Sequence, residues 1–119
     1  MILLVEDEYM VRELVADSLK NYGYQVIEAC NGVEAKEKMI KCQRPIDLVL
    51  TDVVMPGISG KQLIDELSKI QPNLKSIFMS GYTNDAIANN GILENNVAFI
   101  QKPFSPTNLI HKVQEVLAT

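Results

Sequence analysis

Four short stretches of this sequence carry side chains that could do chemistry together: Glu6-Asp7-Glu8, Asp52, Ser80 and Lys102. Each comes at or within one residue of the end of an apolar run, and Pro or Gly follows closely after Asp52, Ser80 and Lys102. Carboxylates held near one another repel unless something cationic joins them. Mg²⁺ suits such a set, because it takes oxygen ligands and keeps several waters. Lys102 can add a compact positive charge. A carboxylate beside a divalent ion, a lysine and a hydroxyl is an arrangement for accepting a phosphoryl group. The cations neutralise the equatorial oxygens while the carboxylate attacks in line, and an aspartyl phosphate results. Asp52 taken alone reads equally well as a turn residue, since turns favour Asp for purely local reasons.

The elements that must position these groups follow from hydrophobic period. Ile2-Leu3-Leu4-Val5 is a continuous apolar run, as expected of a strand buried on both faces. Val11, Leu14, Val15 and Leu19 recur at helical spacing, with Arg12, Glu13, Asp17 and Lys20 on the other face, and Gly23 closes the helix. Gln25 to Ala29 is a more polar strand, expected at or near an edge. Asn31 with Glu34 resembles a capping box and opens a helix to about Lys41, with Ala35 and Met39 inward. Ile46 to Thr51 is the third strand and delivers Asp52 at its end. Ser59 with Gln62 is a second capping-box pair, starting a helix that faces inward through Leu63, Leu67 and Ile70. Leu74 to Ser80 and Val97 to Ile100 are the fourth and fifth strands. Between them, Thr83 to Glu94 reads as a helix weakened by Asn89, Asn90 and Gly91, a segment of low local stability. Ser105-Pro106 opens the last helix, with Leu109, Val113, Val116 and Leu117 as its buried stripe.

Five strand–helix units predict a doubly wound α/β fold, (βα)5, with a five-stranded parallel sheet and helices on both faces. Such a sheet could adopt the order 2-1-3-4-5, with its ligand crevice at the carboxyl ends of strands 1 and 3. The four reactive stretches would then share one edge.

Composition narrows the function classes. The 119 residues suit one domain. A net charge of -4 argues against a nucleic-acid surface, which usually shows a basic stripe. No apolar run is long enough to cross a bilayer, so no membrane insertion is expected. Met1 to Glu8 has neither a basic leader nor a small-residue cleavage site, so no signal peptide is expected. Whether the chain starts abruptly or is cut from something longer stays open. Cys30 and Cys42 lack CxxC spacing and histidine partners, so they are expected to be reduced packing residues of a cytosolic protein. His111, the one histidine, is expected on the surface without chemistry.

Leu4-Val5-Glu6-Asp7-Glu8, Asp52-Val53-Val54-Met55-Pro56-Gly57-Ile58-Ser59-Gly60, Met79-Ser80-Gly81 and Lys102-Pro103-Phe104 resemble the response-regulator receiver domain, the CheY-like family of two-component signalling. The resemblance covers residues 1–119 as a single domain and implies the flavodoxin-like sheet order 2-1-3-4-5. It implies that Asp52 is phosphorylated from the phosphohistidine of a histidine kinase or a histidine phosphotransfer protein. Asp7, Asp52 and the Val54 backbone carbonyl would bind Mg²⁺ (or Mn²⁺), and Glu6 would act through a water. Ser80 would bond a phosphoryl oxygen, Lys102 would pair with the phosphoryl group, and Phe99 would be the aromatic switch coupled to Ser80. Lys102-Pro103 would be a cis peptide. Glu6 stands where the family often has Asp, and Ser80 where it often has Thr. Val54 and Tyr82 occupy positions that, in the family the chain resembles, tune how fast the phosphoryl group is lost.

Phe78-Met79-Ser80-Gly81-Tyr82 with Gln101-Lys102-Pro103-Phe104 is similar to receivers fused to hybrid sensor histidine kinases. The resemblance therefore implies a cytoplasmic location and a fused kinase or separate effector as partner. It further implies a face near the fourth helix, fifth strand and last helix that reshapes on phosphorylation or forms a homodimer. Nucleic acid would not be contacted. A dehalogenase-like phosphatase would need a second Asp two residues after the nucleophile, where this chain has Val54. A flavin-binding domain would cradle a phosphate in its first loop, which Glu6-Asp7-Glu8 would repel. A receiver-shaped interaction module without phosphorylation is disfavoured by the presence of Asp7, Asp52, Ser80 and Lys102 together.

Overall fold

The computed structural model describes residues 1–42, 44–55, 57–80 and 98–118. The expected helix over residues 83–94, together with Gly81, Tyr82 and Val97, lies outside them. The described chain runs β1 (Ile2–Val5), α1 (Tyr9–Asn21), β2 (Val26–Ala29), α2 (Gly32–Lys41), β3 (Leu48–Asp52), α3 (Gly60–Ile70), β4 (Lys75–Ser80), β5 (Phe99–Gln101) and α4 (Pro106–Leu117). All pairings are parallel and the sheet order is β2-β1-β3-β4-β5. The expected topology is therefore present, with the more polar β2 at an edge.

Strand alternation divides the core between two faces. Leu4, Leu50, Ile77 and Met79 pack with Val15, Ala16, Leu19, Leu109, Ile110 and Val113 of α1 and α4. Leu3, Val5 and Val49 pack with Ala35, Met39, Leu63 and Leu67 of α2 and α3. A smaller group, Val53 and Phe78 with Ile64 and Phe99, closes the carboxyl end of β3 and β4.

Local signals end the helices as the sequence suggests. After α1, Gly23 adopts φ 101°, its N–H bonds the Lys20 carbonyl, and Tyr24 N–H bonds that of Leu19. This is the paired C-terminal closure that favours glycine. Ser59 and Gln62 form the full capping box of α3. Asn31 caps the Glu34 amide, but Glu34 turns its side chain to Cys30 N–H, so α2 has only half of the expected box.

Two inward positions are corrected. Leu14 is 58% exposed, because the buried face of α1 is centred on Val15, Ala16 and Leu19 and Leu14 falls nearly opposite it. The residue that does fall on that face is Arg12, three before Val15 and four before Ala16. Ile70, at the last position of α3, is 44% exposed where the helix terminates. In α4 the buried residues are Leu109, Ile110 and Val113, with Val116 and Leu117 half-buried beside them.

The start of α3 presses on the end of β3. Gly60 N–H bonds the Val53 carbonyl at 2.9 Å, and a Cβ on Gly60 would lie 2.2 Å from the Asp52 carbonyl oxygen. Backbone cannot swing aside as a side chain can. Gly60→Ala is expected to cost roughly 1–3 kcal/mol through overpacking, read as a lower urea midpoint at unchanged m-value. An unchanged midpoint would show that the helix start yields freely.

Candidate functional site

Three strand ends build the site. β1 ends at Val5 and hands the chain to Glu6 and Asp7; Glu6 N–H continues the ladder by bonding the Ala29 carbonyl at 3.1 Å. β3 ends at Asp52, whose neighbour Val53 donates its N–H to the Met79 carbonyl at 2.9 Å. β5 is followed by Lys102, whose N–H bonds the Ser80 carbonyl at 2.7 Å. Lys102–Pro103 is a cis peptide. Each functional side chain therefore stands one step beyond, or at the last position of, a hydrogen-bonded ladder.

The side chains converge. Lys102 Nζ lies 2.7 Å from Glu6 Oε2 and 3.2 Å from Asp52 Oδ2. Carboxylate oxygens of Glu6, Asp7 and Asp52 all lie within 4.8 Å of one another. Glu6 is fully buried and Asp52 is 8% exposed, whereas Asp7 is open to solvent. The Glu6 Oε1 atom accepts the Glu8 N–H at 3.2 Å, and its main-chain carbonyl accepts from Arg12 at 2.8 Å. Thr51 Oγ1 donates to the Asp52 carbonyl from inside the core at 3.1 Å.

Electrostatics follow from burial. Removal from water pushes the Glu6 carboxyl up to about 7; the hydrogen bond from Lys102 opposes this and the Asp52 charge adds to it. Burial also raises Asp52, against the pull of Lys102 and with a contribution from Asp7. For Lys102, burial works to lower the value, but the Glu6 hydrogen bond and the Asp52 charge outweigh it and the group is raised. The ammonium is thus held charged, and it is shared between two acids.

Of the remaining residues singled out by sequence, Ser80 is buried at the end of β4 and its carbonyl positions Lys102. Phe99 is half-buried, pairs with Phe78 and packs on the Val53–Phe78 group. The Val54 side chain is exposed beside the turn, where Gly57 takes φ 85°, a backbone conformation that favours glycine. Tyr82 lies outside the described residues. His111 is exposed and lines a groove of about 410 Å³ between α1 and α4 with Tyr22, Ile110 and Gln114; among the described residues no acid lines it. Both cysteines are free thiols.

Arg12 is the residue that sequence reasoning missed. Its charge placed it outward, yet its side chain is only 16% exposed and reaches the Glu6 carbonyl. The usable signal was its spacing of three and four to the buried Val15 and Ala16.

A five-stranded parallel sheet of order 2-1-3-4-5, with an acid cluster and a lysine at its carboxyl edge, defines a doubly wound α/β domain whose site lies at the topological switch point. The chain belongs to the response regulator receiver domain family, whose profile matches residues 2–114. It is 45% identical over 116 residues to the sensor kinase CckA of Brucella abortus, covering 98% of this chain and 12% of that protein. It is 36% identical over 116 residues to the chemotaxis protein CheY of Thermotoga maritima, covering 97% of this chain and 95% of that protein. The crystal structure of the receiver domain of the hybrid histidine kinase CckA matches with a TM-score of 0.80 and 35% identity, over 98% of this chain and 97% of that one. The protein is thus a CheY-like receiver domain of two-component signalling, a class that works with histidine kinases or phosphotransfer proteins. Among the described residues no helix is long and apolar enough to cross a membrane.

Proposed function

We propose that residues 1–119 are one phospho-accepting domain that takes a phosphoryl group onto Asp52 from a partner's phosphohistidine. The observation that carries this reading is the shared lysine: Lys102 Nζ lies within 3.2 Å of Asp52 inside a cluster of three convergent carboxylates. The donor set fits Mg²⁺ (or Mn²⁺), since every side-chain donor is a hard oxygen and Mg²⁺–oxygen distances of about 2.1 Å need only modest convergence of such a cluster. Asp7, Asp52 and the Val54 carbonyl would hold the ion, with Glu6 reaching it through a water. When bound, it would neutralise charge on the transferring group.

The chain's own groups do the rest. An Asp52 Oδ attacks phosphorus in line, the P–N bond of the phosphohistidine breaks, and its electron pair stays on the departing imidazole nitrogen. Lys102 shifts from Asp52 to a phosphoryl oxygen, and Ser80 donates its hydroxyl to another. Phe99, in register with Phe78 two positions before Ser80, supplies the aromatic movement that carries the state to a surface for a kinase, a fused or separate effector, or a second copy. That state is cytoplasmic on this reading, with no nucleic-acid contact by the domain. The 12% share of CckA makes a hybrid kinase the parent assembly we favour.

The test is incubation with acetyl phosphate and MgCl₂, read by intact mass. One added phosphoryl group is expected, and EDTA included from the start should prevent it. No gain across a range of acetyl phosphate and metal concentrations would overturn the proposal in favour of an interaction module.

A further inference from the structure

We propose that Arg12 is a positioning residue that braces the β1–α1 loop, so that Glu6 and Asp7 are aimed at the Asp52 edge; the inference rests on the cation-binding reading above. Helix α1 has no side-chain cap at its first residue: Glu8 occupies the N-cap without a capping hydrogen bond. The loop is anchored from the next turn instead. Arg12 donates through a terminal guanidinium nitrogen to the Glu6 carbonyl at 2.8 Å, while its Nε faces Glu28 Oε1 at 3.7 Å. The same guanidinium lies 5.4 Å from the centre of the Tyr9 ring. Lys20 approaches the other Glu28 oxygen at 3.6 Å, so Glu28 is itself fixed from the far end of α1.

Three different parts of the chain thus meet in one planar group. Glu28 sits on β2 in register with Leu4, two residues before Glu6. The brace therefore ties the loop to the adjacent strand and to the helix it precedes. Only a forked, flat cation can face a carbonyl, a carboxylate and a ring at once. Groups that orient metal ligands without touching the metal change affinity by about 10–100-fold when removed.

Coulomb's law and the brace predict opposite signs. Arg12 is a positive charge near three acids, so removing it should by charge alone tighten binding of a divalent cation. The brace predicts that Arg12→Ala weakens it, by about tenfold at the low end of that range. Arg12→Lys keeps the charge but has a single donor head, so it should fall between the two. Glu28→Gln leaves Arg12 in place without its ionic anchor; charge alone also predicts weaker cation binding there, so that variant is read by loop exchange in the metal-free protein.

NMR titration of labelled protein with MgCl₂ measures the affinity, and amide hydrogen exchange on metal-free samples reads the loop separately. The Glu8 amide, bonded to Glu6 Oε1 in the parent, should exchange several-fold faster in Arg12→Ala. Unchanged or tighter cation affinity in folded Arg12→Ala overturns the proposal. If that variant does not fold, Arg12→Lys, which keeps the charge but loses the fork, decides: cation affinity equal to or tighter than the parent's overturns the proposal. If the parent itself binds no cation, the reading of the acid cluster fails, and the brace stands or falls on loop exchange in the metal-free proteins.

Discussion

Asp52→Asn is expected to abolish phosphoryl incorporation from acetyl phosphate while leaving the domain folded. The amide keeps the shape of the carboxylate but has no lone pair of comparable basicity to offer phosphorus. Loss of a covalent nucleophile costs more than about 10³-fold where it has been dissected. The fold should tolerate the change. Asp52 is buried with a raised carboxyl, so its charge carries a desolvation cost that the neutral amide avoids. Lys102 retains Glu6 at 2.7 Å as a partner. Intact mass should therefore show no added phosphoryl group in the variant under conditions that load the parent, and circular dichroism should show an unchanged spectrum. Residual loading equal to the parent's would move the acceptor to another side chain. Asp7 is the neighbour to examine first, being exposed and within the same 4.8 Å cluster.

The sequence was most informative where a strand ends in a charged or hydroxyl residue. Ile2–Val5, Leu48–Thr51 and Ile77–Met79 are apolar enough to require burial on both faces, which fixes them as inner strands and puts Glu6, Asp52 and Ser80 at one edge. Sheet order then needed only the family resemblance. What the sequence could not provide is the partner of each charge. Nothing in the sequence pairs Glu6 with Lys102, yet in the structure Glu6 is fully buried and directly bonded to that lysine, ninety-six positions away. Nothing local encodes that contact, because it depends on the register that brings β5 beside β4 and its end close to β1. Arg12 shows the complementary failure. A charged residue in an amphipathic helix is assigned outward by type, although its position on the wheel is that of the buried stripe. Here the side chain is only 16% exposed, and its guanidinium reaches the Glu6 carbonyl and Glu28.

The lysine shared between Glu6 and Asp52 connects the charge pattern to the proposed switching. A group that bonds both acids holds the acceptor carboxylate in a defined place, but must also leave it when the phosphoryl group arrives. Glu6 is then the ligand that stays with Lys102. Its carboxylate, one methylene further from the backbone than that of the Asp often found at this position in the family, meets the ammonium at 2.7 Å. Stability should be lost in keeping such a carboxylate out of water.

That cost has a measurable pH signature in the metal-free protein. Glu6 ionises near 4.5 in the unfolded chain and near 7 in the folded one. Between these values the native state holds more protons than the unfolded state, so stability falls as pH rises. The contribution is fully present below pH 4.5 and is lost as pH rises through 7. Asp52, raised from 3.8, adds to the same slope, whereas Lys102 is raised from 10.5 and keeps its charge across the whole window. Glu6→Gln mimics the protonated carboxyl and should remove most of this dependence. It is expected to be more stable than the parent at pH 8 by about 1–2 kcal/mol, after allowing for screening at an edge open to water. Near pH 4.5 the two proteins should be alike. Urea unfolding at both pH values without divalent cation measures the difference, and a variant less stable than the parent at pH 8 would refute the argument. The same substitution should weaken Mg²⁺ binding, since it removes one of three converging negative charges. A site that gains stability as it loses its cation is what a functional acid cluster, rather than a structural ion pair, predicts.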